Sequence, residues 1–173
     1  TGATLQLAAV AAHGARLFRS ADPAYAGTLL TAARAAYEAA QRHPDLIAPD
    51  DHAQFGGGPY GDDWLEDDWY WAAVELWLAT GDDRYRRHLL SSPEHITDAF
   101  DVTGFDFNRV TAPARLDLAL LGSALAHHPQ VSNSVLRGAD RLVELQSQQP
   151  WGQPYAPIEG WDWGSNGRIL NKW

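Results

Sequence analysis

The stretch Gly56-Gly57-Gly58-Pro59-Tyr60-Gly61-Asp62-Asp63-Trp64-Leu65-Glu66-Asp67-Asp68-Trp69-Tyr70-Trp71-Ala72-Ala73-Val74-Glu75-Leu76-Trp77-Leu78 decides how the rest of the chain is read. A glycine-rich turn carrying Tyr60 runs into the acids Asp62, Asp63, Glu66, Asp67 and Asp68. Those acids open a helix that is apolar on nearly every side. Leu65, Trp69, Ala73 and Leu76 form one stripe at helical spacing, and Trp64, Trp71, Val74 and Leu78 cover another flank. Only Asp68 and Glu75 interrupt the apolar surface. A helix apolar all round is a buried one, and acids in its first turn suit the positive end of the helix dipole. An acidic, aromatic connector therefore leads into a buried helix.

Outward from this centre the chain reads as helices and little else. Thr4 to Phe18 sets Leu7, Val10, Ala11, Gly14, Leu17 and Phe18 on one face. Asp22-Pro23 supplies an N-cap and a first-turn proline for a second helix to about Gln41, with Tyr25, Leu29, Ala33, Ala36 and Ala40 inward. The central helix is expected from Asp62 to Thr80, with Gly81 as its C-cap, and a short helix from Asp83 to Leu90 follows. Further helices are expected over Ala112–Ala126, with Leu116, Leu118, Leu120, Leu121 and Leu125 inward, and over Val131–Gln146, with Leu136, Ala139, Leu142 and Val143 inward. A last one begins at Ser165, with Ile169, Leu170 and Trp173 inward. No stretch alternates with period two, so no sheet is expected. Short and long connectors alternate, which predicts antiparallel helix pairs whose long loops emerge on one face. The odd helix count predicts an interior segment of a closed ring of helical hairpins. The absence of methionine, initiator included, predicts an excerpted or processed chain.

Bulk properties exclude several classes. The chain has 173 residues, 45% hydrophobic and 20% charged, with a formal net charge of -9. That composition is globular. The negative charge argues against nucleic acid and anionic membrane surfaces as partners. No apolar run reaches the ~18 residues of a membrane span, and no signal-peptide pattern opens the chain. With no cysteine there are neither disulfides nor thiolate metal sites.

The motifs divide into rejected and retained. Gly56 to Gly61 matches G-x-G-x-x-G literally, but no strand precedes it, Pro59 removes a donor, and Asp62 with Asp63 would repel a pyrophosphate. There is no EF-hand spacing, no H-E-x-x-H pair and no G-x-S-x-G elbow. His127 and His128 at a helix end read as capping residues. The five acids suit either a solvated helix start or a hard-cation site, for which calcium fits an oxygen-only cluster. The loop aromatics Tyr60, Phe107, Trp151, Tyr155, Trp161 and Trp163 suit lids on the core, stacking platforms for sugar rings, or a protein interface.

Several blocks resemble glycoside hydrolase family 9, the cellulases built as an (α/α)6 barrel. They are Gly56-Gly57-Gly58-x-Tyr60-Gly61-Asp62 with Asp67-Asp68-Trp69-Tyr70-Trp71-Ala72-Ala73-x-Glu75-Leu76, Phe105-Asp106-Phe107, and Pro157-Ile158-Glu159-Gly160 with Trp163-Gly164-Ser165-Asn166 and Leu170-Asn171. The helix through Phe18 and Asp22-Pro23-Ala24 also agree with the family, so the resemblance spans essentially the whole chain. It implies an all-α fold, here a partial (α/α)6 barrel cut at both ends. The implied parent is an inverting β-1,4-glucanase acting on cellulose, secreted or periplasmic. The family's Asp-Ala-Gly-Asp segment and its C-terminal Glu block do not occur in these residues, so no catalytic residue is assigned and the segment alone is expected to be inactive. By position Tyr60 resembles a tyrosine near the cleavage point, Trp163 a sugar-stacking tryptophan, and Phe107 stands where a tryptophan is usual. With Trp161 these are the candidate substrate contacts. Asp62, Asp63, Asp67, Asp68 and Asp106 match a calcium site of some members. Asp68 stands where Glu is more usual and Trp64 where Asp or Gly is. The expected partner is a β-glucan polysaccharide or oligosaccharide. The alternatives are an exo-acting β-glucosaminidase or mixed-linkage glucanase on the same barrel, and a non-catalytic carbohydrate-binding protein.

Overall fold

A computed structural model of the chain describes residues 1–47, 61–100, 106, 109–157, 160–161 and 164–172. Among them are seven α-helices, one 3-10 turn and no strand beyond an isolated Asp106–Arg109 bridge. The chain divides into two units, Thr1–His95 and Ile96–Trp173.

The first unit is assembled on the apolar helix, α3 in chain order. Helix α1 spans Gly2–Phe18, α2 Pro23–Arg42, α3 Glu66–Thr80 and α4 Asp83–Ser91. Tyr70, Ala72, Ala73, Val74, Leu76, Trp77 and Ala79 of α3 are all buried, as a helix apolar all round requires. The helix ends where expected, on Gly81 in the left-handed region at φ 71°. It begins later than expected, at Glu66 rather than Asp62. Asp62 Oδ1 instead accepts the backbone N–H of Trp64 at 3.2 Å, a local turn that competes with helix. The α2 cap is as read: Asp22 Oδ1 accepts from the Tyr25 N–H at 2.9 Å, with Pro23 at the first helical position.

α1 packs against both α2 and α3, and α4 folds back onto α3. The inward face of α1 differs from the expected one. Leu5, Ala8, Ala9, Ala11, Ala12 and Ala15 are buried, whereas Leu7, Val10, Leu17 and Phe18 are exposed. On α2, Ala26, Ala33, Ala36, Tyr37 and Ala40 are buried and Tyr25 is exposed. Small side chains on both helices let the axes draw close, so alanine takes the interface. Tyr37 fills the gap toward α3 and α4, edge-on to Trp69 at 5.3 Å and to Tyr85 at 5.1 Å. Its hydroxyl bonds to His88 Nδ1. Burial holds the His88 imidazole below its ordinary value, with Glu66 acting weakly the other way.

In the second unit α5 spans Thr111–Leu121, α6 His128–Gln148 and α7 Ser165–Lys172. Helix α5 is shorter than the expected Ala112–Ala126. It stops at Gly122, whose N–H still bonds to Leu118 O, and a turn then bonds Leu125 N to Gly122 O. Of its expected inward leucines, Leu118 and Leu125 are buried, while Leu116, Leu120 and Leu121 are exposed. Helix α6 starts earlier than expected, with Pro129 in its first turn. His128 Nε2 lies 2.9 Å from the Ala119 carbonyl, so the histidine satisfies an α5 C-terminal acceptor, as its reading as a capping residue implied. On α6, Val131 and Gly138 are buried, while Leu136 and Val143 are exposed, and Leu170 of α7 is exposed too. Gly138 is required where it stands, since a Cβ there would lie 2.7 Å from the Phe100 side chain. Arg141 holds the same segment from above, donating to both Asp98 oxygens and to Phe100 O at 2.7 Å. That hydrogen-bonded guanidinium keeps the Asp98 carboxyl below its ordinary range. Arg115 is buried beneath, donating to Ser134 Oγ at 2.9 Å and facing Thr97 O at 3.4 Å.

Candidate functional site

Two side-chain clusters hold the described candidates, one in each unit. The first gathers at the mouth of α3. Helix α3 has no side-chain N-cap, and Glu66, Asp67 and Asp68 occupy its first turn, where exposed N–H groups and the dipole favour anions. Asp63 is exposed and Asp62 half-buried, but Asp67 and Asp68 are buried. The start of α1 presses on this point: a Cβ added at Gly2 would meet Asp68 Oδ2 at 3.0 Å and Asp62 Oδ2 at 3.8 Å. Gly2 therefore leaves room for the Asp68 carboxylate against the N-terminal end of a second helix, a favourable place for negative charge.

Asp68 is 0% exposed, and the Gln6 amide and Asp62 approach its oxygens without good hydrogen-bond geometry. Its pKa is raised from 3.8 to about 7, first by burial and then by the Asp67 charge. Asp62 adds to the rise, while the Gln6 amide opposes it from α1. Acceptor-only oxygens, burial and mutual repulsion are the chemistry that a hard cation relieves. Among the described residues these carboxylates do not bring three ligand atoms within 4.8 Å of one another. A cation held here by Asp62, Asp67 and Asp68 would thus draw them inward.

Two helical turns deeper than Asp68 lies Glu75, fully buried. Its carboxylate accepts from Arg16 of α1 and from Trp71 Nε1 at 3.3 Å, and His13 Nδ1 stands 3.4 Å away. This ion pair fastens α1 to α3 beneath the acidic mouth.

The second cluster is in the other unit. Tyr155 is buried and its ring carries Trp161 edge-on at 5.6 Å, with Trp161 itself 53% exposed. From α7, Arg168 donates to the Tyr155 hydroxyl at 3.2 Å and Lys172 Nζ lies 4.6 Å from the Tyr155 ring centre. Arg168 also pairs with Asp106 at 3.0 Å. Asp106, a candidate cation ligand by resemblance, is here engaged by a guanidinium. Trp151, another of the loop aromatics, is exposed. Tyr60, Phe107 and Trp163 lie outside the described residues. Arg168 and Lys172 were not singled out by the sequence, although their four-residue spacing after Trp163-Gly164-Ser165 puts them on one helix face.

Solved structures and relatives agree on what this arrangement belongs to. The chain is similar to a metagenome-derived glycoside hydrolase family 9 endoglucanase, with a TM-score of 0.85 and 28% identity, covering 97% of this chain and 30% of that one. It is therefore an all-α part of an (α/α)6 barrel. Glycosyl hydrolase family 9 matches residues 1–173, and the chain belongs to that family. It is 44% identical to endoglucanase C of Cellulomonas fimi, over 99% of this chain and 16% of that protein. It is 34% identical to a cellulose 1,4-beta-cellobiosidase of Acetivibrio thermocellus, over 99% of this chain and 22% of that protein. The chain thus spans a minor part of each relative.

Proposed function

We propose that the parent protein hydrolyses β-1,4-glucan with inversion and that this chain supplies part of its substrate cleft. Inverting hydrolysis needs an Asp to activate water and a Glu to protonate the leaving oxygen, ~6.5–9.5 Å apart. Both would come from outside these residues, so the chain's task is to bind and orient the glucan. The observation that carries the reading is the half-exposed Trp161 ring propped on buried Tyr155, which Arg168 and Lys172 hold from α7. An indole offers an apolar face to the axial C–H groups of a sugar ring. Tyr60, Phe107 and Trp163 are proposed as further substrate contacts, as their positions in the family's motifs imply. Membership of glycosyl hydrolase family 9 and the activities named for its two relatives support the choice of glucan.

Calcium is proposed at the α3 mouth, held by Asp62, Asp63, Asp67 and Asp68. It would neutralise their repulsion. A polymer too large to enter a cell puts the enzyme outside the cytoplasm, secreted or periplasmic. Among the described residues no helix is long and apolar enough to cross a membrane.

In the full-length enzyme, Trp161→Ala is expected to weaken binding of a slowly cleaved thio-linked cello-oligosaccharide by ~1–3 kcal/mol, read by calorimetric titration. Unchanged affinity would return the ring to a packing role on Tyr155. The purified 173-residue segment is expected to release no reducing sugar from carboxymethylcellulose, and measurable turnover would place the catalytic carboxylates within it.

A further inference from the structure

We propose that Asn166 is a site of spontaneous deamidation, converted by the neighbouring backbone and water to aspartate and isoaspartate, and that the conversion unseats the Trp161 ring. Asn166-Gly167 is the only Asn-Gly pair in the chain, since Asn108, Asn133 and Asn171 precede Arg, Ser and Lys. The following residue matters because its peptide nitrogen is the nucleophile. A side chain there hinders the approach, and glycine has none. The Gly167 nitrogen attacks Asn166 Cγ and gives up its proton. The bond from Cγ to the amide nitrogen breaks, and that nitrogen leaves with the proton as ammonia. The product is a cyclic imide, which water opens at either carbonyl. Opening at Cγ gives aspartate. Opening at the main-chain carbonyl gives isoaspartate, whose backbone runs through Cβ and Cγ. Water is the only reagent consumed.

The fold guards this pair weakly. While α7 is formed, the Gly167 N–H donates to Gly164 O at 2.9 Å, which keeps the nitrogen occupied. The next N–H, from Arg168, reaches the same carbonyl only at 3.4 Å. Asn166 and Gly167 are both exposed, so water reaches them. Helix α7 has eight residues, none of them buried. A helix so short does not persist on its own backbone bonds, and a glycine inside it lowers its stability further. Its side-chain ties lie further along: Arg168 to Tyr155 and Asp106, and Lys172 over the Tyr155 ring. They leave the first turn to open locally at small cost. Each opening frees the Gly167 nitrogen beside the Asn166 amide. Isoaspartate then adds a backbone carbon ahead of Arg168 and Lys172, so α7 cannot close again in the same register on Tyr155. Trp161, edge-on to that ring, loses its support. The loss of binding that follows rests on the glucan reading above, whereas the conversion does not.

The test keeps the full-length enzyme warm in mildly alkaline buffer and follows each asparagine by peptide mass mapping. Aspartate and isoaspartate are expected to accumulate at Asn166 ahead of Asn108, Asn133 and Asn171. In Gly167→Ala the new Cβ would meet nothing within 4 Å, so the variant is accommodated. It is expected to slow the conversion by more than about fivefold, because alanine closes the helix by that factor and its methyl also hinders attack. Wild type is expected to lose affinity for a thio-linked cello-oligosaccharide in step with its isoaspartate content, and Gly167→Ala to keep it. Conversion at Asn166 no faster than at the other three, or equally fast in Gly167→Ala, overturns the proposal. Conversion that leaves affinity intact overturns the unseating of Trp161. A fresh wild-type enzyme that does not bind the oligosaccharide removes the glucan reading and leaves the modification site standing.

Discussion

Replacing Glu75 by alanine is expected to destabilise the protein by about 3–5 kcal/mol, the cost of breaking a buried ion pair by removing one partner. Glu75 is 0% exposed, and Arg16, which donates to it, is itself mostly buried with a side chain 12% exposed. Removing the carboxylate takes an ionic partner from the Arg16 guanidinium between α1 and α3 and also frees the Trp71 indole N–H. Glu75→Gln keeps the shape and the indole acceptor but loses the ionic component, so an intermediate loss is expected. The double change Arg16→Leu with Glu75→Leu is expected to recover much of the deficit, because apolar pairs of similar volume replace buried ion pairs at little net cost. Urea unfolding of the full-length protein reads all three, provided the slope is unchanged between variants. A loss under ~1 kcal/mol for Glu75→Ala would mean the pair behaves as a solvated surface bridge.

Glu75 also shows what could be read in advance. In the central helix the apolar run made burial legible, and Asp68 and Glu75 stood out as its only interruptions. Arg16 as the partner of Glu75 was not legible, because it lies 59 residues away and nothing in either segment encodes which helices meet. The same ambiguity explains α1. Its alanines and its larger apolar residues populate different faces, so periodicity alone finds two candidate stripes. Tight helix packing chose the one lined by Ala8, Ala12 and Ala15 over the one with Leu7, Val10 and Leu17. In α5 a leucine-rich run reads as helix past the point where Gly122 ends it. The cap at Asp22 and the stop at Gly81 were legible because each is a local bond or a local backbone conformation. Among the acids, position in the first turn was legible, but the burial of Asp67 and Asp68 was not. It depends on α1 arriving with a glycine at its first position.

That burial leads to an expected reversal of sign for Asp68→Asn with and without calcium. In the metal-free protein the folded Asp68 has a pKa near 7 against 3.8 unfolded, so the folded state holds the proton more tightly. Its contribution to stability is complete below about pH 4 and is lost as pH rises through about 7, at most on the order of 4 kcal/mol. In chelator, therefore, wild-type stability is expected to fall from pH 4 to pH 8. Asp68→Asn, which cannot ionise, is expected to lack that slope and to be more stable than wild type at pH 8. Calcium inverts the comparison. A cation among Asp62, Asp67 and Asp68 favours the ionised carboxylate, flattens the wild-type slope, and stabilises by an amount that grows with the ratio of free calcium to its dissociation constant. Asp68→Asn removes a charged ligand and is expected to forfeit most of that gain, becoming the less stable of the two at pH 8. Melting temperatures of both proteins across pH, in chelator and in calcium, separate the cases. A reversal supports a cation site built from strained, buried acids. A variant that is more stable under every condition would mean that Asp68 works as a protonated carboxyl. One that is less stable even in chelator would mean that the ionised form already has a partner within the fold.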